Sequence, residues 1–213
     1  MAGQYYLVPI SLILAFSYAS CVQTVNGRIK LTVGTASGCS ATVRFFRDQL
    51  VPTYALYGDF LDLEFVPWGR TVKHDNGTFT CQFGPNDCWA NRLHRCALNI
   101  LKGNQKAQLE YMACELAPPY PAYGESSFAC IQEVGINIVQ ADFCLNNPDL
   151  DTLDEDAQKA AVEPMAVINL VPTIVFNDNP DRDVRNQASQ RLSSMVCFAL
   201  ADDPSSGILG CQI

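Results

Sequence analysis

Positive charge is in short supply in this chain. Fourteen Lys and Arg face 22 Asp and Glu over 213 residues, a net charge of −8. Phosphate is neutralised by clustered Lys and Arg, so nucleic acid is excluded as an expected partner. Histidine is scarcer still, with only His74 and His94, which leaves little material for a His-rich metal centre. Charged residues make up 17% and hydrophobic ones 48%, a balance that excludes a disordered chain. There is no internal repeat and no low-complexity tract. After the N-terminus no apolar run is long enough to span a bilayer, which takes about 20 residues. The best one, Ala160–Phe176, is broken by Glu163, Pro164, Asn169 and Pro172. What the chain has in quantity is cysteine, ten in all, in a length suited to one domain or one domain with an insertion. That number points to an oxidising compartment.

The N-terminus agrees. Met1–Gly27 carries no charged side chain, and Leu7–Ala19 is a continuous apolar core with Ser17 and Ala19 at the small positions before a cleavage point. Residues 1–19 are therefore expected to be a signal peptide rather than a membrane anchor. Asn76-Gly77-Thr78 is the one N-glycosylation sequon. The expectation is a secreted glycoprotein, with the lumen of a lysosome or endosome as the alternative destination and no membrane span after signal cleavage.

Arg28–Thr35 alternates apolar and polar residues as a half-buried strand does. A small-residue turn over Ala36–Ser40 follows, then a helix marked by Val43, Phe46 and Leu50, which Pro52 should kink or end. Leu61–Val66 is a second strand, completing a βαβ unit with parallel strands. Thr71–Cys81 is expected as a hairpin with Asn76-Gly77 as a two-residue turn. From Cys88 to Cys144 helical spacing dominates: Leu93, Cys96, Ala97 and Ile100 mark one segment, Leu109, Met112, Ala113 and Leu116 another. Five carboxylates crowd Asp149–Asp156. They lack the glycine and terminal glutamate of a calcium loop and are read as the solvated first turn of a helix over 154–161. Ile168–Phe176 returns to strand character around Val171-Pro172, and Val184–Leu200 is a closing helix.

This order is that of a thioredoxin-like α/β fold with a disulfide-stapled helical insertion. Its parts are residues 28–82 and 147–213, with the insertion over 83–146. In such a fold the reactive cysteine sits where the first strand hands over to the first helix, which here is Cys39. Helix N-terminal N–H groups favour a thiolate there, and Arg44 and Arg47 on the same helix can add positive field. Pro172 takes the place of the proline that lies beside the site, where a cis bond is expected. The small residues Gly34–Gly38 lack the Lys-Ser/Thr ending of a phosphate loop and are read as a tight turn.

Cys81-Gln82-Phe83-Gly84-Pro85-Asn86-Asp87-Cys88, with Asn91 and Cys96 beyond it, closely resembles the signature of the gamma-interferon-inducible lysosomal thiol reductase family, with Phe83 where that signature has histidine. Gln49-Leu50-x-Pro52-x-Tyr54 and Val66-Pro67-Trp68-Gly69 match the family too. Cys114, Cys130, Cys144, Cys197 and Cys211 fall where it places its later cysteines. The resemblance implies a protein-disulfide reductase in which the first cysteine of a Cys-x-x-Cys pair attacks and the second resolves. Cys39-Ser40-Ala41-Thr42 departs from it. Thr42 can offer a hydrogen bond to a Cys39 thiolate but cannot resolve a mixed disulfide.

The expectation is thus a protein that binds a protein partner, or a monothiol oxidoreductase whose mixed disulfides an external small thiol resolves. A third possibility is that Cys21 replaces the missing cysteine. No cofactor or metal is expected. A zinc set of Cys81, Cys88, His94 and Cys96 has the wrong spacing, and both histidines are read as surface or capping residues. Eight cysteines, 81, 88, 96, 114, 130, 144, 197 and 211, suffice for four disulfides whose pairing is open, with Cys39 left as a free thiol.

Overall fold

The computed structural model describes residues 22–147 and 150–211. The expected signal peptide (1–19), Cys21 and Asp149 lie outside the described residues. Strand β1 (Ile29–Thr35) forms the centre of a three-stranded sheet. It pairs in parallel with β2 (Leu61–Pro67), Ile29 opposite Leu61 through Thr35 opposite Pro67. On its other side it pairs antiparallel with β5 (Thr173–Phe176), Leu31 opposite Phe176 through Gly34 opposite Thr173. Ile29, Leu31 and Val33 enter the main core, with Phe45, Phe46 and Leu50 from the first helical run. Val66 and Trp68 form a smaller core with Ala157 and Ala161. Because strand residues alternate faces, β1 is buried on both, and its polar Thr32 and Thr35 are buried too.

The connection from β1 to β2 is a helical run in three pieces: α1 (Ser40–Phe45), a π-helical turn over Phe46–Leu50, and α2 (Val51–Tyr57). Pro52 neither ends nor breaks this run, contrary to expectation. It sits in the first turn of α2, where its missing N–H is no loss, and the π-turn just before it absorbs the change in ladder. The expected two-residue hairpin turn is also revised. Strands β3 (Val72–Lys73) and β4 (Phe79–Thr80) pair antiparallel. His74 N donates to Thr78 O, Gly77 N donates to His74 O, and Gly77 has φ +80°. That is a three-residue loop ending in a left-handed glycine.

Five helices follow: α3 (Pro85–Ile100), α4 (Gln105–Glu115), α5 (Pro121–Glu125), α6 (Ala129–Glu133) and α7 (Ile138–Leu145). Three disulfides staple this region: Cys81–Cys88, Cys96–Cys144 and Cys114–Cys130. Cys197–Cys211 fastens the C-terminus. The zinc alternative therefore has no thiolates to draw on.

Helix α8 (Leu150–Ile168) is far longer than the helix expected over 154–161, and it passes through Pro164. Strand β5 is correspondingly shorter than expected, because Ile168 belongs to α8 and the strand begins only after Pro172. Helix α9 (Arg182–Ala201) closes the chain. Asp181 caps it by accepting from the Asp183 and Val184 N–H groups, and its Leu192 and Val196 lie in the core.

The acidic stretch is not wholly solvated. Asp154 is fully buried and holds Arg95 of α3 at 2.8 and 2.6 Å. Arg95 also donates to the Pro67 carbonyl and stands over the Trp68 ring at 5.3 Å. One ion pair thus ties α8, α3 and the end of β2 together.

Gly34 shows how tightly β5 lies on β1. A Cβ there would sit 2.0 Å from the Thr173 hydroxyl oxygen. Gly34→Ala is expected to destabilise the fold by about 1–3 kcal/mol through overpacking, read as a lower urea midpoint at unchanged slope.

Candidate functional site

Cys39 caps the first helical run in extended conformation (φ −88°, ψ 109°) and is 7% exposed. Among the described residues it is the one free cysteine. Its Sγ lies 3.6 Å from the Val171 carbonyl, to which it donates. The Val171–Pro172 bond is cis. The next carbonyl, that of Pro172, accepts from Arg185 Nε at 2.9 Å. Two consecutive carbonyls before β5 thus hold the thiol and a nearly buried guanidinium. Burial lowers the Arg185 pKa, and its proximity to Cys39 works against that shift.

Thr42 is fully buried, and its hydroxyl finds no hydrogen-bond partner. The bond to Cys39 that its position allowed is not made. Of the two arginines expected to add field, Arg47 is exposed and engaged with Asp48, whereas Arg44 lines a cleft with Pro172 and Arg185. Arg185 comes from α9, remote in sequence, and no local pattern marks it.

The turn that presents Cys39 is held from behind by the Cys81–Cys88 segment. Asp87 is 1% exposed. Its Oδ1 accepts from Gly38 N and Asn91 Nδ2, each at 3.1 Å, and its Oδ2 accepts from Phe83 N at 3.3 Å. Asn91 Oδ1 in turn accepts from Ser37 N at 3.1 Å and Ser37 Oγ at 2.7 Å. Phe83, in the histidine position of the signature, lies against Gly38, where a Cβ would come within 2.5 Å of its own Cβ. Asp87 and Asn91 of the signature thus bracket the Ser37-Gly38 backbone. Asp87→Ala would strand two partly buried backbone donors, Gly38 N and Phe83 N. It is expected to cost about 2 kcal/mol and to alter the rate at which iodoacetamide modifies Cys39.

His94 corrects the sequence reading. It is 1% exposed, not a surface residue. Its Nδ1 lies 3.3 Å from Ser37 Oγ, its Nε2 is 3.9 Å from Glu115 Oε2, and its ring meets Tyr111 edge to face. Burial pushes the Tyr111 phenol well above its usual range, and Glu115 adds to the effect. His74 is exposed, 2.8 Å from the Thr80 hydroxyl. Asn76 stands exposed at the hairpin tip, its side-chain oxygen accepting from both Thr78 N and Thr78 Oγ1. Pro172 and Cys39 are therefore brought together, Thr42 lies buried in the same first turn, and Asn76 belongs to a separate surface. No helix among the described residues is long and apolar enough to cross a membrane.

Among solved structures, the chain is similar to a reduced disulfide bond oxidoreductase, DsbG, from Mycobacterium tuberculosis. The TM-score is 0.55 at 14% identity, covering 91% of this chain and 86% of that one. It is also similar to oxidoreductase DsbA from Xylella fastidiosa, with a TM-score of 0.52 at 12% identity, covering 86% and 92%. At such identities the likeness shows the fold alone, and that fold is thioredoxin-like.

Among curated proteins, GILT-like protein 1 of Drosophila melanogaster is 25% identical over 88% of this chain and 79% of its own length. A gamma-interferon-inducible lysosomal thiol reductase-like protein of Anopheles gambiae is 26% identical over 91% and 86%. Residues 30–134 match the family described as gamma interferon inducible lysosomal thiol reductase (GILT). That stretch runs from β1 through the Cys39 turn to the stapled helices, so the strand, the thiol and the brackets behind it coincide with the matched region. Over that stretch the chain is similar to the GILT family.

Proposed function

We propose that this protein is a secreted glycoprotein on a thiol-reductase scaffold that lacks dithiol turnover and acts by binding a protein partner. One observation carries the reading. Every described cysteine except Cys39 is in a disulfide, and the third position after Cys39 is a buried threonine. A reductase cycle needs a second thiolate to attack the mixed disulfide formed by the first. A threonine hydroxyl is neither ionised nor able to form an S–S bond, so the cycle stops halfway. The uncharged apolar segment at residues 7–19 supports export, with a lysosomal or endosomal lumen as the other destination. The exposed Asn76 supports glycosylation.

The test uses the pre-reduced protein with insulin in excess and no other thiol. No insulin chains should be released beyond the level of Cys39→Ser, and binding to an identified partner should survive Cys39→Ser. Release of insulin chains, or loss of binding in a folded Cys39→Ser protein, overturns the reading.

A second reading is favoured by the buried Arg185 beside the thiol: Cys39 forms mixed disulfides that an external small thiol resolves. Insulin reduction at pH 5 with excess free cysteine then runs faster for the native protein than for Cys39→Ser. Equal rates sink it.

A further inference from the structure

We propose that the cleft between the Cys39 helical run and α9 is a binding site for a small carboxylate-bearing thiol or its disulfide, held by Arg44 and Arg185 next to the Cys39 sulfur. The inference deepens the monothiol reading of Cys39 and rests on it for the covalent step, though not for the binding.

The cleft has a volume of about 260 Å³ and is lined by Ala41, Arg44, Asp48, Gln49, Pro172 and Arg185, among others. That is just below the roughly 300 Å³ at which pockets for drug-sized molecules begin, so its occupant is small. Arg185 is 9% exposed. A guanidinium so buried is ordinarily matched by a carboxylate. Here its hydrogen-bond partners are the Pro172 carbonyl at 2.9 Å and the Asn186 side-chain oxygen at 3.3 Å, and it makes no ion pair among the described residues. Arg44 makes none either. The one acid in the wall, Asp48, has both oxygens on Arg47, at 2.6 and 2.8 Å. Two guanidiniums therefore face this cleft without an ion pair, though the Asp48 charge acts on Arg44 from the wall, in a chain whose net charge is −8. A planar fork of N–H donors matches a carboxylate in two-point geometry.

Position relative to the thiol selects the rest of the ligand. Cys39 donates to the carbonyl of Val171 and Arg185 to that of Pro172, so the sulfur and the cation sit over adjacent residues. Ala41, two positions after Cys39, is part of the wall. A ligand anchored by its carboxylate on Arg185 and Arg44 and carrying a sulfur a few bonds away can meet Cys39. In the exchange, the Cys39 thiolate attacks one sulfur of the ligand disulfide. A Cys39–ligand S–S bond forms, the ligand's own S–S bond breaks, and the departing thiolate takes up a proton from solvent. A second molecule of the same thiol reverses the step. No other oxidant or reductant is consumed.

The test separates binding from chemistry. S-methylglutathione, an anionic probe with no free thiol, is titrated by calorimetry into the Cys39→Ser protein. Saturable binding that weakens with added salt is expected. Arg44 is exposed, so its replacement should leave the fold intact. Arg44→Gln should weaken binding about tenfold, the loss one charge-assisted contact carries.

In parallel, the rate at which the native protein forms an adduct at Cys39 is followed by mass spectrometry, with glutathione disulfide and with cystamine, a cationic disulfide. The anionic disulfide should react faster, and Arg44→Glu should reverse the preference. Binding of S-methylglutathione with no adduct from either disulfide would uphold the site and remove the monothiol reading. Adducts formed without charge preference, together with no saturable binding of the probe, would overturn the site while leaving the monothiol reading standing.

Discussion

Thr42→Cys should give this scaffold the second thiol of a dithiol pair and make it an insulin reductase. Thr42 is fully buried in the first turn after Cys39, and its hydroxyl is unbonded. A thiol of nearly the same size can occupy that space without breaking a hydrogen bond. Placed three residues after Cys39 on a helix, the new sulfur lies on the same face as the first. A resolving thiol in the same molecule competes against external thiols with the advantage of proximity, for which effective molarities reach about 10⁵–10⁸ M in well-oriented cases. Even a poorly aligned pair should raise turnover at least about a hundredfold over the native protein, well inside that limit. The measurement is the initial rate of insulin reduction at pH 5 with a fixed reductant, alongside mass spectrometry of the 39–42 pair. If the pair forms a disulfide and the rate stays at the level of Cys39→Ser, Cys39 is not a nucleophile in this scaffold.

Asp154→Ala should be among the most destabilising single substitutions in the chain. It leaves the Arg95 guanidinium, itself 6% exposed, without its counter-charge, and burial already lowers the Arg95 pKa. Removing one partner of a buried pair costs about 3–5 kcal/mol, whereas replacing both by apolar side chains of similar volume is often close to neutral. Arg95→Met with Asp154→Leu is therefore expected to recover most of the loss. Urea denaturation monitored at Trp68, whose ring lies under Arg95, checks both. An equal loss in the single and double variants would mean that α8 is held chiefly by something other than this pair.

These two residues also show where a sequence stops being legible. The βαβ start could be read from periodicity because each strand carries its alternation locally, and Cys39 followed from its place at the first strand-to-helix junction. Asp154 could not be read. In a run of carboxylates composition favours solvent, and its partner Arg95 lies 59 residues away on another helix. Arg185 was invisible for the same reason, as was the burial of His94, whose contacts with Ser37 on one side and with Tyr111 and Glu115 of α4 on the other come from two separate segments. The role of Asp87 and Asn91 was half legible: the signature named the residues, but only folding shows that they brace the Ser37-Gly38 backbone. Pro52 misled because the rule against proline in helices assumes an unbroken α ladder, and the π-turn before it changes that ladder.

Helix α9 departs from helical geometry at Arg191 (φ −148°, ψ 42°), and the next amide, Leu192 N, donates to Gln49 Oε1 on the π-turn. The helix is therefore two rods in series, the first carrying Arg185 and the second bound to the C-terminus through Cys197–Cys211. Hydrogen–deuterium exchange should resolve them as two units with separate opening free energies. The rod beside the thiol can then breathe with the Cys39 helix while the disulfide-tied rod stays closed.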